Sequence, residues 1–90
     1  MTDCGYRKTF LKDLAVVPKQ YRARIEQLVF DRIPASKNIF HDLDIHKMAG
    51  YENYYRIRTG KYRIGCIIEP GNRIIFCRVK SRDEIYRVFP

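Results

Sequence analysis

No stretch of this chain approaches the ~20 consecutive apolar residues that a membrane-spanning helix needs. The first residues, MTDCGYRKTF, lack the basic-then-apolar order of a secretory signal. Both absences lead us to expect a cytoplasmic protein with no membrane partner. Tryptophan is missing, and cysteine is scarce. Cys4, Cys66 and Cys77 are odd in number and too widely spaced for a C-x-x-C metal or redox motif. Cys66 and Cys77 fall inside apolar runs, where a reduced thiol acts as a small core residue. Internal repeats and low-complexity tracts are absent too. Acidic residues are in short supply: ten Asp and Glu face eighteen Lys and Arg, for a net charge of +8. That imbalance points to a polyanionic partner, either nucleic acid or an acidic protein.

What is present suffices for a single domain over residues 1–90, with 46% hydrophobic and 31% charged residues. Residues 4–8 are short enough for an edge strand. Thr9 is placed to cap a short helix over FLKDLAV, with Phe10 or Leu11, Leu14 and Val17 as its apolar stripe. Pro18 suits the first turn of a second helix. Tyr21, Ile25, Leu28, Val29 and Ile33 then recur at three- and four-residue spacing, and Pro34 closes the run. So tight a connection predicts an antiparallel helical hairpin. Residues 34–52 show no clear period and read as a loop with at most one helical turn, ending at Gly50. From residue 53 the period becomes two, through NYYRIRT, KYRIGCII and RIIFCRVK, with turns at Gly60 and at EPGN. Short connections make these strands an antiparallel meander. Ser81 and Glu84 match a capping box, which predicts a last helix from about Arg82. The expected fold is α+β: a small antiparallel sheet in the order β-α-α-β-β-β-α, one face under the helical hairpin and one face open.

Residues 54–65, YYRIRTGKYRIG, crowd Arg56, Arg58, Lys61 and Arg63 into twelve positions. Alternation puts Tyr54, Arg56 and Arg58 on one strand face, with Tyr55 and Ile57 on the other. In the next strand Tyr62, Ile64, Cys66 and Ile68 form the buried series, so Lys61 and Arg63 look the other way. The arginines of both strands therefore share the open face. Arg82 and Tyr86 are four apart on the last helix and can reach the same concavity. Two like charges ~8 Å apart cost on the order of 2 kcal/mol at an effective dielectric of ~20. No acid lies within residues 53–68 to offset this. Phosphate gives the cluster a purpose, because guanidinium forks match phosphate oxygens in pairs. Lys80 extends the basic set at the end of the third meander strand. Tyr54, Tyr62 and Tyr86 offer rings for stacking on unpaired bases, with ordinary core packing as the competing role. His41 and His46, in HDLDIH, stand beside Asp42 and Asp44. Metal binding there lacks a third ligand series. A histidine base remains open, because the loop can fold over the concave face.

KMAGYENYYRIRTGKYRIG followed by RVKSRDEIYR resembles the RelE/ParE toxin superfamily. The Y-R-x-R-x-G-x-Y-R core carries the superfamily likeness. The SRDEIY ending is similar to the RelE-like mRNA endonucleases, since ParE-like gyrase inhibitors usually lack this Arg and Tyr. The resemblance implies the toxin of a bacterial type II toxin–antitoxin pair, cutting mRNA in the ribosomal A site with no metal or other cofactor. Attack by the 2′-hydroxyl on the adjacent phosphate would leave a 2′,3′-cyclic phosphate. It further implies a RelB-like antitoxin, in a hetero-oligomeric complex that binds its own operator DNA. Arg58, Arg63, Arg82 and Tyr86 take the catalytic positions, and Arg56, Lys61, Tyr54 and Lys80 the RNA contacts. Arg63 and Arg58 would meet the charge that develops on phosphorus. Arg82, at a helix N-terminus, would hold the phosphate or assist the leaving oxygen. Tyr86 is left to move a proton or to stack on a base. Some relatives carry Lys where this chain has Arg56 and Arg58, and arginine hardly serves as a base. The alternative functions are a ParE-like inhibitor of DNA gyrase and an inactive relative kept as a binding module.

Overall fold

Alternation in residues 54–81 does what its period predicts. A computed structural model, which describes residues 1–90, gives β3 (Tyr54–Thr59), β4 (Tyr62–Glu69) and β5 (Arg73–Ser81) as an antiparallel meander. A two-residue loop at Gly60-Lys61 joins β3 to β4, with Gly60 at φ 59°. Such a left-handed position in a tight hairpin suits glycine, which has no Cβ to clash. Ile57, Ile64, Cys66, Ile68, Ile74, Phe76 and Val79 line the inner face and are buried. Each fully buried aliphatic or aromatic side chain contributes about 2 kcal/mol by leaving water. Burial also pushes the Cys66 thiol well up from its ordinary pKa, which makes it an inert core group.

The α+β class holds, and the sheet is larger than the pattern indicated. With β1 (Cys4–Tyr6) and β2 (Ile45–Lys47) at its edges, it has five strands in the order β1-β5-β4-β3-β2. β1 (Cys4–Tyr6) pairs in parallel with β5, so the sheet is mixed rather than wholly antiparallel. The stretch expected to be a loop holds α4 (Ile39–Asp42), capped by the Asn38 side chain, and then β2 (Ile45–Lys47) on the far edge. β2 pairs antiparallel with β3, setting His46 opposite Arg56. Three residues are too few for a period to stand out. The signal is the inward pair Leu43 and Ile45, both packed against the core, alternating with Asp44 and His46.

α1 (Lys8–Ala15) buries Phe10 and Leu14 and leaves Leu11 exposed. It starts two residues earlier than a Thr9 cap requires, with Arg7 at the N-cap. The Thr9 hydroxyl instead donates to the Cys77 carbonyl, 3.0 Å away on the β5 edge that β1 leaves uncovered. Farther along, the Asp13 carboxylate accepts the Val79 N–H at 3.2 Å. α1 therefore supplies partners to strand groups that no sixth strand meets. α2 (Lys19–Gln27) passes into a π-helical turn at Leu28–Arg32 and a last turn, α3 (Ile33–Ala35), that contains Pro34. Proline cannot donate to the carbonyl four residues back, and the helix widens just before it. Ile25, Leu28, Val29 and Ile33 face the sheet as their spacing predicts.

The second face of the sheet is not fully open. α5 (Ile85–Val88) and the residues after it fold across it. Met48, Cys77, Ile85 and Phe89 make a second small core there, with Tyr54, Ile67, Ile75 and Val88 packed around it. The basic end of the same face is covered less: Arg58 is exposed there, and Arg56, Arg63 and Lys80 are half-buried.

Candidate functional site

Strand register decides which charges meet. Arg58 stands directly opposite Arg63, and Arg63 opposite Lys80. The Arg58 N–H donates to the Asp44 carbonyl at 2.9 Å, carrying the β2–β3 ladder one residue further. One row across the sheet thus reads Asp44, Arg58, Arg63, Lys80. Like charges placed opposite one another destabilise a sheet. Carboxylates offset the two ends of the row and not its middle. At one end Asp44 Oδ2 lies 3.8 Å from Arg58 Nε. At the other, Lys80 Nζ is 3.4 Å from Asp13 Oδ1. Arg63 between them meets no acid: its Nη1 donates to the Gly60 and Tyr62 carbonyls, both at 2.9 Å. Those bonds hold the guanidinium in place without neutralising it.

The neighbouring row sets His46 beside Arg56 and Arg56 beside Gly65. The Arg56 guanidinium lies 4.5 Å from the centre of the Tyr86 ring, a cation–π contact that ties α5 to β3. Together His46, Arg56, Arg58, Arg63 and Tyr86 line a cavity of about 270 Å³. Tyr86 keeps 68% of its surface exposed, so its ring and hydroxyl are accessible to a ligand. His46 Nε2 is 2.5 Å from Asp44 Oδ1, and His41 pairs separately with Asp42. No three His, Cys, Asp or Glu side chains gather as a metal-binding group.

Of the eight residues singled out from the sequence, four line this cavity: Arg56, Arg58, Arg63 and Tyr86. The other four stand elsewhere, each for a local reason. Tyr54 belongs to the second core, its ring 5.5 Å from that of Phe89 and 5.9 Å from Tyr51, so it is not a free stacking platform. Lys61 sits in the hairpin turn, not on the face with Arg63, and its Nζ is 3.4 Å from the Tyr21 hydroxyl on α2. A hydrogen bond to Gln20, and then Lys61, draw the Tyr21 hydroxyl below its ordinary pKa. Lys80 is engaged by Asp13, which also takes Arg78 Nε at 2.6 Å. That bond raises the Arg78 pKa and keeps the guanidinium charged. Arg82 is exposed and outside the cavity lining, its N–H donating to the Lys61 carbonyl at 2.9 Å. Ser81 and Glu84 do pair, but they close a turn, and α5 begins only at Ile85. Arg82 therefore gains no help from a helix N-terminus. Tyr62 packs inward against Tyr21, with ring centres 5.5 Å apart.

Residues 6–86 match the family described as the ParE toxin of type II toxin–antitoxin systems, parDE. Toxin RelE3 of Methanocaldococcus jannaschii is 47% identical over 87 residues, covering 94% of this chain and 96% of that protein. Among solved structures, the RelB-RelE antitoxin–toxin complex from Methanococcus jannaschii aligns with a TM-score of 0.78 and 46% identity, over 96% of this chain and 99% of that one. The archaeal RelE-RelB complex from Pyrococcus horikoshii aligns with a TM-score of 0.67 and 25% identity, over 90% and 94% of the two chains. No helix here is long and apolar enough to cross a membrane. With its meander, its basic cavity and these relatives, the chain belongs to the RelE/ParE superfamily of type II toxin–antitoxin toxins.

Proposed function

We propose that this toxin is a metal-independent endoribonuclease that cuts mRNA on the ribosome by 2′-hydroxyl attack. The observation that carries the reading is the Arg56, Arg58, Arg63 and Tyr86 cavity, in which Arg63 has only carbonyl partners. In-line attack builds negative charge on the non-bridging phosphate oxygens. A fixed, unneutralised guanidinium aimed at that charge needs no reorganisation as it develops. Arg63 has that role, with Arg58 opposite it as the second cation. Arg56 braces the Tyr86 ring, leaving the Tyr86 hydroxyl for the substrate. Arg82, exposed in its turn, is free to swing onto a bound strand. Positioning the nucleotide in line supplies the rest of the acceleration, and ribosomal RNA helps a site this small to do so.

The complexes solved for relatives support a RelB-like antitoxin as the silencing partner in a hetero-oligomeric complex. Binding of that complex to its own operator DNA belongs to the same proposal and rests on the family resemblance alone. The test is induction in a host cell with mapping of transcript ends. Wild type should arrest growth and leave 2′,3′-cyclic phosphates. Arg63→Ala should do neither while still capturing antitoxin.

A second reading, inhibition of DNA gyrase without chemistry, has two observations in its favour: Arg82 does not line the cavity, and residues 6–86 match the family described as the ParE toxin. Growth arrest that survives Arg63→Ala, with DNA damage and intact transcripts, would select it.

A further inference from the structure

We propose that His46, held by Asp44, is the general base that removes the proton from the attacking 2′-hydroxyl. The inference rests on the nuclease reading and adds the proton acceptor that the reading lacks. Three of the five residues lining the cavity are arginines, which stay protonated and cannot accept a proton. The other two are His46 and Tyr86. Imidazole is the side chain that exchanges a proton near neutrality, whereas a phenol ordinarily ionises only near pH ~10.

The geometry selects one nitrogen. His46 stands opposite Arg56 in the β2–β3 ladder and so shares the cavity face. Its Nε2 is 2.5 Å from Asp44 Oδ1. An ionised carboxylate only accepts hydrogen bonds, so Nε2 carries the proton and Nδ1 bears the lone pair. The Nδ1 atom has no protein partner, and the side chain is 71% exposed. Asp44 also reaches Arg58 through Oδ2, at 3.8 Å from Nε, which couples the imidazole's support to the row that binds phosphate. A carboxylate so placed fixes the tautomer and stabilises the imidazolium once it forms. Asp44 is therefore a positioning residue.

Protons and bonds balance within the cavity. Nδ1 takes the 2′-hydroxyl proton as the O2′–P bond forms and the P–O5′ bond breaks. The departing 5′-oxygen takes the proton of the Tyr86 hydroxyl. His46 then gives its proton to water and Tyr86 regains one from water. Facing His46 are Asp44 beside its own strand, Arg56 and Arg58 on β3, Arg63 on β4 and Tyr86 on α5. The arginines stay charged throughout, so the pH dependence belongs to the imidazole, the Asp44 carboxyl and the Tyr86 phenol.

Single-turnover cleavage of mRNA on programmed ribosomes, with the full chain over a pH series, tests this. His46→Gln should cut at least ~10²-fold more slowly than wild type. It should also lose the rise in rate between acidic and neutral pH that deprotonation of a base gives. His46→Gly should regain rate on addition of imidazole, and Asp44→Asn should slow cleavage in the same direction. A lost rate that imidazole does not restore means a damaged strand and overturns the assignment. So does an unchanged rate and pH profile in His46→Gln, which would leave the nuclease reading standing provided wild type yields cyclic ends. Absence of cyclic ends from wild type removes both.

Discussion

The Phe89 ring lies on the backbone of Gly65, so close that a Cβ at position 65 would come within 2.5 Å of it. A glycine in the middle of a central strand is thereby explained. Phe89 closes the second core, and that core holds α5 at the angle that brings Tyr86 over Arg56. Gly65→Ala should cost about 1–3 kcal/mol through overpacking, read as a lower thermal midpoint. Because the tail must lift, toxicity should fall as well, although residue 65 does not line the cavity. Phe89→Ala leaves room at Gly65 but empties the core. It should cost about 3 kcal/mol and detach Tyr86, which fluorescence quenching would report.

Arg63 separates charge from geometry. Arg63→Lys keeps the cation and gives up the planar fork that bonds the Gly60 and Tyr62 carbonyls. Cleavage by Arg63→Lys should fall by 10²-fold or more, on the scale of losing one preorganised donor. Its unfolding midpoint should stay near that of wild type or rise, since a like-charge neighbour of Arg58 becomes mobile.

Asp13 is a structural carboxylate, only 7% exposed, and it serves Arg78, Lys80 and the Val79 N–H together. Asp13→Ala should cost about 3 kcal/mol, because it strands a partly buried guanidinium and an edge N–H. The same change frees Lys80. Binding of single-stranded RNA by whatever protein remains folded should then strengthen at low salt, as measured by anisotropy.

Asp42 predicts an acid effect. The Ser36 hydroxyl, at 2.7 Å, and then His41 hold its carboxyl below the ordinary carboxylate range. A depressed folded pKa stabilises above the unfolded value and loses that contribution as pH falls through the folded one. Below pH ~4, amide protection in α4 should therefore drop before that of the central strands. Ser36→Ala should shift the drop toward higher pH.

How much was legible beforehand differs along the chain. The meander could be read because six to nine residues of alternation leave one solution for a strand with a buried face. The amphipathic face of α2 was plain for the same reason at a period of 3.6. β2 was hidden, since three residues at an edge draw their order from pairing with β3 and not from their own pattern. Thr9 misled because a hydroxyl that can cap a helix can equally serve a neighbouring strand edge. Alternation alone put Tyr54 on the same face as Arg56 and Arg58, and it could not show that a tail from the far end of the chain packs Phe89 on Tyr54 and Tyr86 on Arg56 and leaves Arg58 clear.

The sequence by itself determined the α+β class, the basic face of the hairpin and the place of Arg56, Arg58 and Arg63 on it. Periodicity is local, and each strand carries its own record of which side is wet. Only tertiary structure decided which charges are offset and which stay bare. Asp13 reaches Lys80 across 67 positions, Asp44 reaches Arg58 across 14, and Arg63 is left with carbonyls. Electrostatic compensation depends on distance in space, and that is set only when the strands take their register and α1 and α5 settle against them.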